Sequence, residues 1–177
     1  MSNLSKRGLS TEVMGVFMSW WKRTSSSEAS GSARADRAAL RRAATLTAVA
    51  LTPAYQRLYA DMAKAHAGQP WREHEQDRIA ALVGLAAHIK EANSLSLPQA
   101  MSKPPEGTDR NPVSALRFAR LLDAPDVEAL FTGLRRALPL IKHTVDPTSL
   151  VRDVFGWGDA VKKRWAYDYA WPKKSDA

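Results

Sequence analysis

Apolar residues in this chain return at helical spacing, and that period decides what the chain can fold into. Ile79, Leu82, Val83, Ala86 and Ile89 fall at i, i+3, i+4, i+7 and i+10, one face of a helix over 73–92. Residues 10–23 carry Val13, Val16, Phe17, Trp20 and Trp21 on the same period, behind Ser10 or Thr11 as a cap. An Ala-rich stretch over 34–50 favours helix until Leu51-Thr52-Pro53 breaks it. Pro53 suits the first turn of the next helix, 53–66, with Tyr55, Leu58, Tyr59 and Met62 on one side. In the C-terminal third, Ser114 caps 115–122 and a continuous stripe from Val127 to Ile141 predicts a helix over 125–142, kinked or ended by Pro139. A short helix after Asp146-Pro147 and a last one over 159–171 complete the series. No run alternates as a half-buried strand does, and no repeat of fixed length is visible.

The breaks set the domain plan. Thr24 to Ser32 is polar and small, a loop. Asn93 to Pro112 holds four prolines and a glycine, with a short helical piece at 97–101. The expectation is an all-α fold of two small helical bundles: an N-terminal bundle over 1–95, a Pro-rich linker or long loop over 96–112, and a C-terminal bundle over 113–177.

With 45% hydrophobic residues the 177-residue chain has enough apolar surface for a core, so disorder is not the expectation. The absence of cysteine excludes disulfides, thiolate metal sites and cysteine nucleophiles. A formal net charge of +8 favours a polyanionic partner. That excess is spread along the chain: 14 basic against nine acidic residues over 1–108, and 12 against nine over 109–177. It therefore belongs to folded surface rather than to a tail. No stretch approaches the roughly 20 apolar residues of a membrane span. Met1 to Arg7 is followed by an apolar run broken by Glu12, without a small-residue cleavage pattern, so no signal peptide and a cytoplasmic address are expected.

Catalysis needs a constellation, and none assembles. His66, His74, His88 and His143 are scattered without ligand spacing and read as surface or helix-end residues. Gly156-Trp157-Gly158 lacks the Lys-Ser/Thr of a phosphate loop, and Ser25 to Ser27 lack the setting of a nucleophile. No enzyme, metal or cofactor is expected.

Arg34, Arg37 and Arg41 recur at i, i+3 and i+7, so they share a helix face, with Arg42 beside them and only Asp36 as local compensation. Guanidinium groups about one turn apart suit phosphate contact. Lys162, Lys163 and Arg164 form a second cluster, compensated only by Asp159 and Asp168. Arg117 with Arg120, and Arg135 with Arg136, are pairs that taken singly are equally the solvated faces of helices. Trp157, Trp165 and Tyr169 read as core rather than as base-stacking platforms.

The order of these motifs is itself informative. Phe17-Met18-Ser19-Trp20-Trp21 precedes Arg37-Ala38-Ala39-Leu40-Arg41-Arg42-Ala43. Ser114 to Leu122, Leu134-Arg135-Arg136-Ala137 and Val145-Asp146 follow, and Trp157 stands ahead of Val161 to Tyr169. Over about residues 13–170 this series resembles the CasB family, the small subunit of the type I-E CRISPR Cascade surveillance complex. The resemblance implies a two-bundle helical fold without catalytic activity or cofactor. It implies two copies of the protein lying against the backbone subunit CasC and the large subunit CasA, where they hold the R-loop formed by CRISPR RNA and target DNA. Family basic residues along that path match Arg42, Arg117, Arg135 or Arg136, and Lys162 to Arg164.

Two rivals remain at this level. A stand-alone helical DNA-binding regulator needs a helix-turn-helix, which 112–142 mimics, although Asp123-Ala124-Pro125-Asp126 lacks the usual glycine turn. A purely structural adaptor would carry its charge only for solubility.

Overall fold

The computed structural model describes residues 8–174. Met1–Arg7, read above for a signal peptide, and residues 175–177, at the end of the expected C-terminal bundle, lie outside the described residues. Side-chain caps start most of the helices. Ser10 Oγ accepts from the Val13 N–H at 3.3 Å and opens α1 (Thr11–Ser25). Ser30 Oγ accepts from the Ala33 N–H at 3.1 Å and opens α2 (Gly31–Arg42), so the end of the Ser-rich stretch is a cap. The expected single helix over 34–50 divides. Ala43 leaves α2 extended, and Thr45 Oγ1 takes the Ala48 N–H at 3.1 Å to open α3 (Leu46–Ala50). A local side-chain bond there outweighs the propensity of an Ala-rich run. α4 (Pro53–Ala65) has Pro53 in its first turn, as the sequence predicts, and opens on Thr52 as cap.

α5 (Glu73–Ala86) ends earlier than its apolar stripe, because the chain turns after Ala87 to form β1 (Glu91–Ala92). This two-residue strand pairs in parallel with β2 (Thr144–Val145), Glu91 opposite Thr144 and Ala92 opposite Val145. A strand of two residues has no alternation to read, so the sequence gives no sign of it. α6 (Leu97–Met101), α7 (Ala115–Leu122) and α8 (Val127–Ala137) follow. Pro139 converts the end of the expected 125–142 helix into a 3₁₀ turn, Leu138–Ile141. α9 (Pro147–Phe155) and α10 (Asp159–Asp168) complete an all-α fold in which the only sheet among the described residues is the β1–β2 pair.

α5 is the centre of the packing. Ile79 to Ala86 are all buried, and α3, α8 and α9 cover them from different sides. A helix apolar all round must be covered all round. Gly84 is where three helices meet: a Cβ there would lie 2.8 Å from Phe131 Cε2 and 2.9 Å from Val49 Cγ2. The buried residues on both sides of segment 96–112 form one cluster, running from Val13 to Tyr169. The segment itself contributes, since α6 puts Leu97 and Met101 into that core and packs on α10. Trp157, Trp165 and Tyr169 are buried, as their reading as core residues predicts. No helix among the described residues is long and apolar enough to cross a membrane.

Candidate nucleic-acid interface

The eleven basic residues singled out by the sequence divide into those that face solvent and those that hold the fold. Arg117 and Arg120 leave α7 on its outer side while Phe118 and Leu121 enter the core. Arg136 reaches the same place from α8. The three line one groove of about 400 Å³, floored by Val113, Leu121, Ala129, Gly133 and Ala137, with Leu140 at its edge. Gly133 accommodates this closeness: a Cβ there would stand 2.5 Å from Leu121 Cδ2, and the Leu121 side chain would have to move aside. All three arginines are exposed, and among the described residues none of them pairs with a carboxylate. Arg136 stands 16 or more positions along the chain from the other two, so the three meet only through the helix packing.

On α2, Arg34, Arg41 and Arg42 are exposed and free of ion pairs among the described residues. Arg37 shares their helical face by spacing but lies at its inner margin, and its guanidinium is committed to backbone. Nε donates to the Ala87 carbonyl at 2.8 Å, one terminal nitrogen to the Thr24 carbonyl at 3.4 Å, and the other to the Ile89 carbonyl. These bonds tie α2 to the end of α5. Burial, and then the neighbouring charge of Arg41, lower the Arg37 pKa from its ordinary value. Asp36, the expected local compensation, pairs instead with Arg57 of α4 at 2.7 Å.

The two remaining clusters are likewise mixed. Arg135 is half-buried, donates to the Arg41 carbonyl at 3.1 Å and lies over the Phe131 ring at 5.5 Å. Arg164 pairs with Asp153, a carboxylate only 1% exposed that also accepts from the Trp165 indole at 2.8 Å and approaches Arg152 at 3.4 Å. A buried carboxylate requires that company. Lys162 sits over the Trp157 ring at 5.6 Å, whereas Lys163 is exposed. The structure therefore brings Arg117, Arg120 and Arg136 together, leaves Arg34, Arg41, Arg42 and Lys163 on the surface, and draws Arg37, Arg135 and Arg164 into the scaffold. No spacing rule separates the last group from the rest, because their partners are carbonyls and a carboxylate from other elements.

Sequence reasoning also passed over a pair of histidines. His88 and His143 are half-buried and stacked, ring centroids 6.3 Å apart and nearly parallel. They come together across the β1–β2 junction, where the Lys90 N–H donates to the His143 carbonyl at 2.9 Å. Residues 55 positions apart give no local signal of such a meeting.

The family model of CRISPR-associated protein Cse2 matches residues 36–169. No curated protein matches the chain in sequence. Among solved structures, the fold is similar to a chain in the crystal structure of E. coli Cascade bound to a PAM-containing dsDNA target. That likeness has a TM-score of 0.61 at 18% identity and covers 88% of this chain and 92% of the other. The family model spans most of the chain, and the protein belongs to the Cse2 family of CRISPR-associated proteins, the CasB family that its ordered motifs resemble.

Proposed function

We propose that this Cse2-family protein is the non-catalytic small subunit of a type I-E Cascade complex and that it steadies the R-loop through its free arginines. The observation that carries the reading is the convergence of Arg117, Arg120 and Arg136 on one groove without carboxylate partners among the described residues. Arg34, Arg41 and Arg42 on α2 and Lys163 on α10 extend the basic surface. The solved chain of similar fold lies in a Cascade complex bound to double-stranded DNA, which supports CRISPR RNA and target DNA as partners here. CasC, CasA and a second copy of the chain are the protein neighbours of this reading, and the cytoplasm its place.

The energetics suit the role. Exchanging a DNA duplex for a guide–target hybrid is nearly balanced, so a few backbone contacts tip it. A displaced strand of arbitrary sequence must be held by charge, since its bases cannot be read in advance. Each phosphate contact releases counterions, which gives the test its readout. Arg117, Arg120 and Arg136 are replaced together by Glu in reconstituted Cascade, and target-DNA affinity is measured across salt concentrations. Affinity falls and the logarithmic salt slope shrinks by about 2 to 3, at roughly 0.7–0.9 per lost contact. Unchanged affinity and slope in a complex that still assembles would overturn the reading, and sequence-specific binding by the isolated chain would favour a stand-alone regulator.

A further inference from the structure

Four buried side-chain nitrogens of the described residues lack a hydrogen-bond partner, and three belong to one neighbourhood: His88 Nε2, His143 Nδ1 and Arg135 Nε. Buried polar groups are almost always satisfied, so three together mark a place built for something further. The neighbourhood is assembled from four parts of the fold. α2 supplies Arg37 and Arg41, the turn between α5 and β1 supplies His88 and Lys90, α8 supplies Arg135, and the turn before β2 supplies His143. Arg37 bonds the carbonyls of Ala87 and Ile89 on either side of His88, and Arg135 bonds the Arg41 carbonyl. Lys142 and His143 both adopt the left-handed region, with φ of 57° and 55°, which non-glycine residues seldom do. That strained reversal, fixed by the His143 N–H donating to the Leu138 carbonyl at 2.9 Å, swings His143 back against His88.

The charge here is one-sided. His88 feels Arg135, Arg41, His143 and Arg37, and His143 feels Lys90, Arg41 and Arg37. Among the described residues, every charged group acting on either imidazole is a cation or the other imidazole. Burial first, and these cations second, press the His88 pKa down to about 4; the same two causes lower that of His143, against a smaller raising effect of the His88 backbone. Four permanent cations and two imidazoles without a counter-charge is an arrangement that an anion completes.

We propose that this junction is a binding site for a single phosphate group, with the exposed Arg41 and Lys90 at its mouth and His143, Arg135 and His88 behind them. Arg41 and Lys90 meet the anion first. The χ2 torsion of an imidazole is soft, so a turn of the His143 ring presents its nitrogen to the phosphate. A phosphodiester of a nucleic-acid strand and free inorganic phosphate carry the same recognisable group, and the site stands on its own geometry whichever supplies it.

The test uses the full chain at constant ionic strength, titrated in one arm with inorganic phosphate against chloride and in the other with a short oligothymidylate. The side-chain resonances of His88 and His143 are followed by NMR. Phosphate moves both resonances and raises both apparent pKa values. Arg41→Gln and Lys90→Gln each weaken phosphate binding by about tenfold, the worth of one charge-assisted hydrogen bond. Lys64→Gln, exposed on α4 and outside both the junction and the basic surface, leaves it unchanged. Movement of the same resonances by the oligonucleotide identifies the source as a strand, and movement by phosphate alone identifies a small-anion site. Resonances that stay still in both arms overturn the proposal, as does an equal loss in Lys64→Gln. The groove arginines are untouched in this experiment, so its failure leaves the R-loop reading to its own test.

Discussion

Arg164 is the residue for which scaffold and interface roles make opposite forecasts. Its guanidinium neutralises Asp153, which is 1% exposed, while the Arg164 side chain is itself 37% exposed. Removing one partner of a fully buried pair costs about 3–5 kcal/mol, because the other charge is stranded. Two features of the site reduce that figure. Solvent screens the outer half of the pair, and Arg152 at 3.4 Å and the Trp165 indole at 2.8 Å continue to hold the carboxylate. A loss of about 2 kcal/mol follows for Arg164→Gln, or about 4–8 °C in Tm for a chain of this size. Lys163→Gln, one position earlier and exposed, changes stability by no more than about 0.5 kcal/mol. Urea and thermal unfolding of both variants, together with Asp153→Asn and the double variant, give the coupling directly. Residues in contact are expected to couple by about 0.5–3 kcal/mol. If Arg164→Gln unfolds as the parent does while target-DNA binding by the complex collapses, the ion pair is idle and the assignment of Arg164 to the scaffold is wrong.

Arg37→Gln is expected to destabilise the chain by about 2–4 kcal/mol, since it strands three carbonyls at the α2–α5 contact; Arg34→Gln, measured beside it by urea denaturation, stays within about 0.5 kcal/mol of the parent, and equal effects would refute the division between them. Acid sensitivity follows from His88, whose folded pKa of about 4 lies below its ordinary 6.5. The unfolded chain gains a proton first as pH falls, so stability is lost progressively between about pH 6.5 and 4, by roughly 3 kcal/mol before solvent screening and about 2 kcal/mol after it. His88→Gln flattens that part of the stability profile, and a profile unchanged by the substitution would show that burial of the ring does not oppose its protonation.

Much of the fold was legible because the information is local. Ser10 and Ser114 each cap the helix they precede, as read from the sequence, and the apolar stripe of 125–142 lies in the core wherever α8 and the 3₁₀ turn carry it. Errors arose where two local forces compete within a few residues. Thr45 divides an Ala-rich run that propensity alone would continue, whereas Pro139 ends its helix as expected, with the last turn tightened to 3₁₀. The β1–β2 pair is set by contacts across about fifty residues and leaves no periodic trace.

The candidate site shows the same boundary more sharply. An arginine on a helix looks identical in sequence whether it meets water, a phosphate or a carbonyl, because the side chain is long enough to serve any of them. Position on the helical face does not decide it either: Arg37 and Arg41 are one turn apart, yet only Arg37 spends its donors on the end of α5. The deciding quantity is how many of the five guanidinium donors the folded chain has already used. Arg117, Arg120 and Arg136 have none committed among the described residues, and they are also the set that packing gathers from two helices around Gly133. A free guanidinium gains a charge-assisted bond by binding a strand, whereas one that must first release a carbonyl gains little. Substitution at Arg117, Arg120 or Arg136 is therefore expected to alter DNA binding without altering stability, and substitution at Arg37 or Arg164 to do the reverse.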